Sequence, residues 1–493
     1  MPRVSETESA GRRLKVLALV LALPAAWQAV TLASIFARRV SYPADIEWGE
    51  GNVLYEAHRI FHARAVFGPP DLGYAPNVYP GGHMLTLALL GTVFPLDYAL
   101  GRLLSIAGFA VACAVAGAVV HRHWRESVFR VPATAAAIAL ACAAYPSVAQ
   151  WYDLVRVDSL GIGVVLAAAW VATEGAPSPK RATAAALLLV YAVFIKQTNV
   201  AFAAWIVAVS FARDRRYGAR MLAIAALAGG AILVALEIAT HGWYGFWTFT
   251  IPSRHPRVAG RLAAGLVALI DVTPALFALP IAFAFVAGRR ALSRRAVVWF
   301  GMVAASLLAG LAPYAKIGGS ENNFVPIVLP LGAAVLVVAY DTALCVTARR
   351  DLGLALVCAA AGALLVTRPI DATPCVPSAE RLAQARALNA EIASLGDSVL
   401  VPGSAFLPIR NDHDWPQLTT MGFVDVEWAN VPYDAERVLR DNGARFVVLN
   451  TREPDMHVER AVIAKYRYVR ELHTVVKSWA TVATGPEYVY ATP

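Results

Sequence analysis

The densest group of residues able to do chemistry is DIEWGEG, Asp45 to Gly51, with three carboxylates, Asp45, Glu47 and Glu50, in six residues. A carboxylate can take the proton from a hydroxyl as a new bond forms. Polar residues of other kinds follow along the chain: His83, Arg102, then Asp153, Arg156 and Asp158 in WYDLVRVDSLG, Lys196 and Gln197 in KQTN, and Asn322 and Asn323 in KIGGSENN. Cations such as Arg102 and Lys196 can hold a phosphate leaving group and stabilise the charge that grows on it. A second set of acids, drawn from Asp45, Glu47, Asp153 and Asp158, can bind sugar hydroxyls or a divalent cation through oxygen ligands. No other cofactor is implied, and there is no glycine-rich phosphate loop. Each piece also has a local alternative. Asp45 can cap the helix that EGNVLYEAHRIF begins, with Glu47 and Glu50 favoured by its dipole. Asp153, Arg156 and Asp158 can form a local ion pair and a cap, Asn322 and Asn323 can cap a helix, and Lys196 can snorkel to an interface. Arg102 stands at a helix start, the wrong end for the dipole.

The elements that must position these residues lie in lipid. Only 16% of the 493 residues are charged, against about 25% in a globular domain, and mean hydropathy is +0.55. The net charge of +9 comes from arginines in short loops between apolar runs, which marks membrane orientation and not a nucleic-acid groove. Cys113, Cys142, Cys345 and Cys358 fall inside apolar runs and Cys375 outside them, without zinc spacing or a disulfide framework.

A spanning helix needs roughly 20 apolar residues. Val16 to Phe36 exceeds a signal-peptide core and reads as a retained first helix. Further spans are expected at 98–120, 131–149, 158–174, 182–195, 197–212, 219–240, 263–287, 296–313, 323–346 and 352–368. The short run Met84 to Phe94 reads as an interfacial helix lying flat, because only then do HRHWRESVFR, RDRRYGAR, GRRALSRR and TARR all fall on the cytoplasmic side. Eleven spans and an external C-terminus follow. The division is a membrane part, 1–368, with a first outer loop at 37–97, and a small extracytoplasmic α/β domain, 369–493. In the latter, DSVLVPG, ARFVVLN, YRYVREL and EYVYA read as strands, and PYDAERVLRDNG as a helix ended by Gly443. The polar pieces then share the outer face, and acids and bases from distant segments meeting at one membrane boundary mark a site.

In order along the chain, DIEWGEGNVLYEAHRI, VYPGGHMLTLALLG, GRLLS, WYDLVRVDSLGIGVVL, FIKQTNVAF and GGSENNFVPIVLPL resemble bacterial membrane glycosyltransferases of the GT-C class, similar to protein O-mannosyltransferases and lipid A aminoarabinose transferases. The resemblance covers about residues 14–346. It implies a catalytic acid in the first outer loop, at Asp45 or Glu47, further acids at Asp153 and Asp158, and a carrier-phosphate contact at Arg102. The aspartate–glutamate pair of the mannosyltransferases is split here by Ile46, and the double proline common in relatives reads YPGG, with His83 beyond it.

The expected protein is therefore an inverting transferase of the bacterial cytoplasmic membrane. It moves a sugar from a polyprenyl-phosphate donor to an external glycan, lipid or protein acceptor, and no nucleic acid is involved. The competing expectations are a lipid-glycan flippase or secondary transporter, and an assembly protein without catalysis. Transporters place ionisable groups at mid-membrane and show paired broken helices or inverted repeats, and the sequence shows neither.

Overall fold

The computed structural model describes residues 3–70, 73–289, 292–346, 350–454 and 456–493, and of residues 3–11 and 271–272 the backbone alone. Most of TARR and part of GRRALSRR lie outside the described residues.

The first half is helical: α1 (Arg3–Arg39), α2 (Glu50–Phe61), α3 (Gly82–Gly91), α4 (Tyr98–His123), α5 (Arg130–Ala143), α6 (Val157–Thr173), α7 (Pro179–Ile195), α8 (Val200–Arg213) and α9 (Arg215–Ala239). Short polar side chains start several of them. Asp97 accepts from Leu100 N at 2.9 Å, and Ser178 and Asp214 cap α7 and α9 in the same way. Among the described residues, six helices are long and apolar enough to cross a membrane: α1, α4, α9, Arg294–Tyr314, the run that includes Val325–Val346, and Arg350–Thr367. This is an integral membrane protein. The ten residues of α3 would extend about 15 Å, too short to cross.

One expected span is bent. The run 263–287 is made of two helices, Arg261–Val272 and Ala275–Ala287, with an angle of 79° between Arg261–Ile270 and Ala275–Ala287. Pro274 stands at the break; it lacks an N–H and disfavours helix at the residue before it.

The arginine loops meet at one end of the bundle. Arg295 and Arg122 reach Glu174 at 2.8 and 3.7 Å, Arg213 and Arg294 donate to Thr173 O, and His123 pairs with Asp341. At the other end the polar pieces DIEWGEG, WYDLVRVDSLG, KQTN and KIGGSENN come together, joined by contacts given below.

The C-terminal segment forms a four-stranded sheet in the order β1-β2-β4-β3, from Val399–Leu400, Phe446–Leu449, Arg467–Glu471 and Tyr488–Ala491. β1 and β2 are parallel, and β4 runs antiparallel to both β2 and β3. The four strands fall on the four expected stretches. The helix Ala435–Asn442 begins at the Asp434 cap and stops at Gly443, whose φ of +65° suits glycine. This layer is clamped to the first loop. Trp479 N and Ala480 N donate to Ile46 O at 3.0 and 3.2 Å, Asn389 to Pro43 O at 3.1 Å, and Gln417 N to Tyr55 Oη at 2.9 Å.

Candidate active site

The chain between α1 and α2 turns sharply, and its three acids take three different surroundings. Glu50 opens α2 and is fully buried. Its carboxylate receives Arg102 Nε at 3.0 Å and Nη2 at 2.8 Å, together with Ile46 N and Val155 N. The remaining N–H bonds of Arg102 go to Arg39 O, Tyr42 O and Ala44 O. All five donors of the guanidinium are thereby used. Burial acts to raise the Glu50 pKa, but Arg102 outweighs it and holds the carboxyl below its usual value.

Asp45 faces inward. Its Oδ1 accepts from Gly51 N at 2.7 Å, and the Ser404 and Tyr98 hydroxyls lie beside the carboxyl. Burial, reinforced by the charge of Glu50, pushes its pKa up to about 7. The like charge acting on Asp45 is thus Glu50, not Glu47 as the two-residue spacing suggests, because Glu47 turns toward a different cation.

Glu47 Oε2 accepts from Arg156 Nε at 2.8 Å and from Gly49 N at 3.0 Å, while Oε1 lies 3.5 Å from Thr481 Oγ1. Burial raises its pKa against the pull of Arg156. Gly49 has no room for a side chain: a Cβ there would stand 2.0 Å from Arg156 Nη2 and 2.1 Å from Met421 Cε.

Arg156 joins this loop to the next. It is 3% exposed, stacks over the Trp151 ring, and its charge acts on Glu47, Tyr79 and Asp158. Asp158, in the first turn of α6, receives the Lys196 ammonium at 2.6 Å on Oδ1 and Trp151 Nε1 at 2.7 Å on Oδ2. Asn322 Nδ2 approaches the same Oδ2 at 3.5 Å, and Asn323 donates to Asn322 Oδ1. Lys196 directly follows α7, is 6% exposed, and its side chain has no second partner among the described residues. Gln197 donates to Val78 O and Thr248 O, and its Oε1 is unpaired among the described residues. His83, at the start of α3, is fully buried with both ring nitrogens unpaired among the described residues. Burial brings its pKa down to about 4, leaving a neutral ring at pH 7.

Asp153 stands apart. It is an ion-pair partner of Arg39 at 2.8 Å and accepts from Tyr145 Oη, all of it fully buried. The four acids named for a divalent cation do not converge. Glu47, Asp153 and Asp158 each have their own cation, Asp45 has a backbone amide, and no group of three metal-binding side chains occurs among the described residues.

Several participants escaped the sequence reading. Asp425, on the helix Thr420–Trp428, feels the charge of Arg156, lies 3.5 Å from His255 Nε2, and is pushed by burial up to about 8. Met421 of the same helix touches Arg156 Nη1 at 3.4 Å. Arg39, Trp151 and Tyr79 complete the surroundings. An acid between two valines in GFVDVEW is the available signal for Asp425; nothing in the sequence ties it to residue 156.

No protein-family model matches the sequence, and no curated protein matches it. Solved structures do match. Against ArnT from Cupriavidus metallidurans bound to undecaprenyl phosphate the TM-score is 0.56 at 15% identity, covering 96% of this chain and 97% of that one. Against the same protein in the apo state the TM-score is 0.57, with the same identity and coverage. The matched length takes in the membrane helices and the C-terminal layer together. This chain therefore shares, over nearly its whole length, the fold of ArnT.

Proposed function

We propose that the protein is a membrane glycosyltransferase that moves a sugar from a polyprenyl-phosphate donor to an acceptor hydroxyl outside the cytoplasm. The observation that supports this most is the buried group Glu47–Arg156 beside Asp158–Lys196, at one end of a fold shared with a protein crystallised with undecaprenyl phosphate.

In this reading Glu47 is the general base and Lys196 the phosphate contact. The acceptor O–H gives its proton to the Glu47 carboxylate as its oxygen attacks the anomeric carbon. The bond from that carbon to the phosphate oxygen breaks, and its electron pair leaves on the polyprenyl phosphate. Lys196 meets the charge that develops there, in a site from which water is largely excluded. Asp158 positions the ammonium, and Arg156 fixes the Glu47 rotamer. One acid acting as base in an in-line attack inverts the anomeric centre. Both acids accept an amide of their own loop, Asp45 from Gly51 and Glu47 from Gly49; Glu47 is preferred because it also lies against Arg156, whose charge reaches the Asp158–Lys196 pair. Arg102 and Glu50 hold the exit of α1, and Asn322, Gln197 and His83 line the neighbourhood for sugar hydroxyls.

The proposal includes eleven crossings in a bacterial cytoplasmic membrane, with residues 369–493 as an external domain. A transporter would need its ionisable groups at mid-membrane, whereas Glu50 and Asp158 stand in the first turns of their helices and Lys196 directly follows the last turn of α7.

The test is transfer from a purified polyprenyl-phosphate sugar by the full chain in nanodiscs, with the anomeric configuration of the product read by NMR. A product of inverted configuration is expected. Lipid exchange between leaflets without any glycosidic product would reverse the choice between transferase and flippase. Reporter fusions after Arg368 should report an external C-terminus.

A further inference from the structure

The arginine-rich end of the bundle, remote from the candidate active site, holds a cavity of about 260 Å³ lined by Glu174, Ser293, Arg294, Arg295 and Trp299 among others. Its charge balance is uneven. Arg122, Arg181, Arg213, Arg294 and Arg295 all bond to residues 170–175, where Glu174 is the acid. Both Glu174 oxygens are occupied by Arg295 Nε and Nη2, each at 2.8 Å, so this carboxylate does not repel an anion. His123 on the rim is likewise matched by Asp341 at 3.1 Å.

Two further features point to a ligand. The cavity includes the first turn of the 21-residue helix Arg294–Tyr314, whose N-terminal amides and dipole favour negative charge. Trp299, on the cavity wall and only 1% exposed, has an indole N–H without a partner among the described residues. A buried donor left unpaired is costly, and an anion oxygen would satisfy it. Arg294 is exposed and can close over such a group.

We infer that this cavity seats a phosphate group, carried by an anionic membrane phospholipid. Arginine suits the task because its planar donors match phosphate oxygens in pairs, and basic pockets between membrane helices take anionic headgroups. The seat reads the negative charge of the phosphodiester, which phosphatidylcholine balances with its own choline cation, and does not need the chemistry of the opposite face.

The experiment uses the full chain in neutral detergent, titrated with dioctanoyl phosphatidylglycerol, dioctanoyl phosphatidylcholine or inorganic phosphate, with occupancy read by native mass spectrometry. Phosphatidylglycerol is expected to bind one per chain and at least about ten-fold more tightly than phosphatidylcholine. Arg294→Gln should weaken it about ten-fold, and Trp299→Phe, which keeps the ring and removes the N–H, several-fold. The pair Arg215→Gln and Arg216→Gln removes two exposed charges at the start of α9 and should leave it unchanged. Equal binding of the two lipids, unchanged binding in both Arg294→Gln and Trp299→Phe, or an equal loss in the Arg215/Arg216 pair would overturn the site. Displacement of phosphatidylglycerol by inorganic phosphate supports a seat that reads the phosphate. Binding of inorganic phosphate without phosphatidylglycerol would overturn the lipid as its source. Because Arg294 is exposed and outside the proposed machinery, transfer activity is expected to persist in Arg294→Gln.

Discussion

Glu50–Arg102 and Asp158–Lys196 are both buried carboxylate–cation pairs joining distant segments, yet they are finished differently. Arg102 spends all five N–H bonds on Glu50 and three carbonyls at the end of α1. Lys196 has Asp158 and no further partner among the described residues. A saturated fork is a clasp, because any ligand would have to displace bonds already made. A partly satisfied ammonium still has donors to offer a ligand. Formal charge and proximity to the boundary are the same for both pairs; the count of unused donors separates them.

That contrast is broken or sharpened first at Arg102. Arg102→Met should remove most folded protein, since breaking a buried pair costs about 3–5 kcal/mol and four carbonyl and carboxylate partners lose their donors. Arg102→Lys should rescue poorly, as one ammonium cannot span that fork. The check is detergent size-exclusion yield and Tm. A folded Arg102→Met with wild-type Tm and a raised KM for the donor lipid would exchange the roles of the two pairs.

Next in size is Glu47→Gln. It keeps the shape and loses the charge, and turnover should fall by about 10²–10⁴-fold with Tm nearly kept. Asp45→Asn serves as its comparison and should lose less. A larger loss in Asp45→Asn would move the base to the inward-facing acid.

For the other pair, Lys196→Met should act on donor binding. Losing one charge-assisted contact of about 1.5–3 kcal/mol raises KM for the polyprenyl donor about ten- to a hundred-fold. Steady-state kinetics against donor concentration read this directly, with a fall in kcat also expected from the charge that Lys196 meets as the bond breaks; unchanged KM and kcat would remove Lys196 from the site.

The last prediction is one of pH. In the fold Asp45 titrates near 7, against about 3.9 for a free aspartate. The native state therefore binds more protons across that interval, so this contribution to stability is present below about pH 4 and is lost as pH rises toward 7. Asp45→Asn should flatten the fall of Tm over that range, and Asp425→Asn should do the same up to about pH 8. Parallel Tm–pH curves for wild type and both variants would show that neither acid holds a proton in the native state.

The helices were legible because an apolar run of sufficient length in lipid has few alternatives to a helix. The C-terminal strands were legible from short apolar runs between turn residues. The bend at Pro274 is not legible from hydropathy, because averaging over 263–287 hides it. WYDLVRVDSLG, KQTN and KIGGSENN are expected on one face from the sequence, and Asp158, Lys196 and Asn322 lie together in the fold. Their division of labour was not legible, since charge and boundary position are alike for Arg102 and Lys196.

The sequence alone determined that this chain lies in a membrane, where its helices run, and that its acids and bases lie between them. Those follow from local composition and periodicity, which act over a few residues at a time. The tertiary structure decided which acid faces which cation. Arg39 takes Asp153, Arg102 takes Glu50, Arg156 takes Glu47 and Lys196 takes Asp158, each across a long sequence separation. It also brought Asp425 and Met421 of the C-terminal segment over Arg156. Pairing of buried charges depends on which side chains share a low-dielectric space and how many donors each has left, and both are set only when the helices have packed.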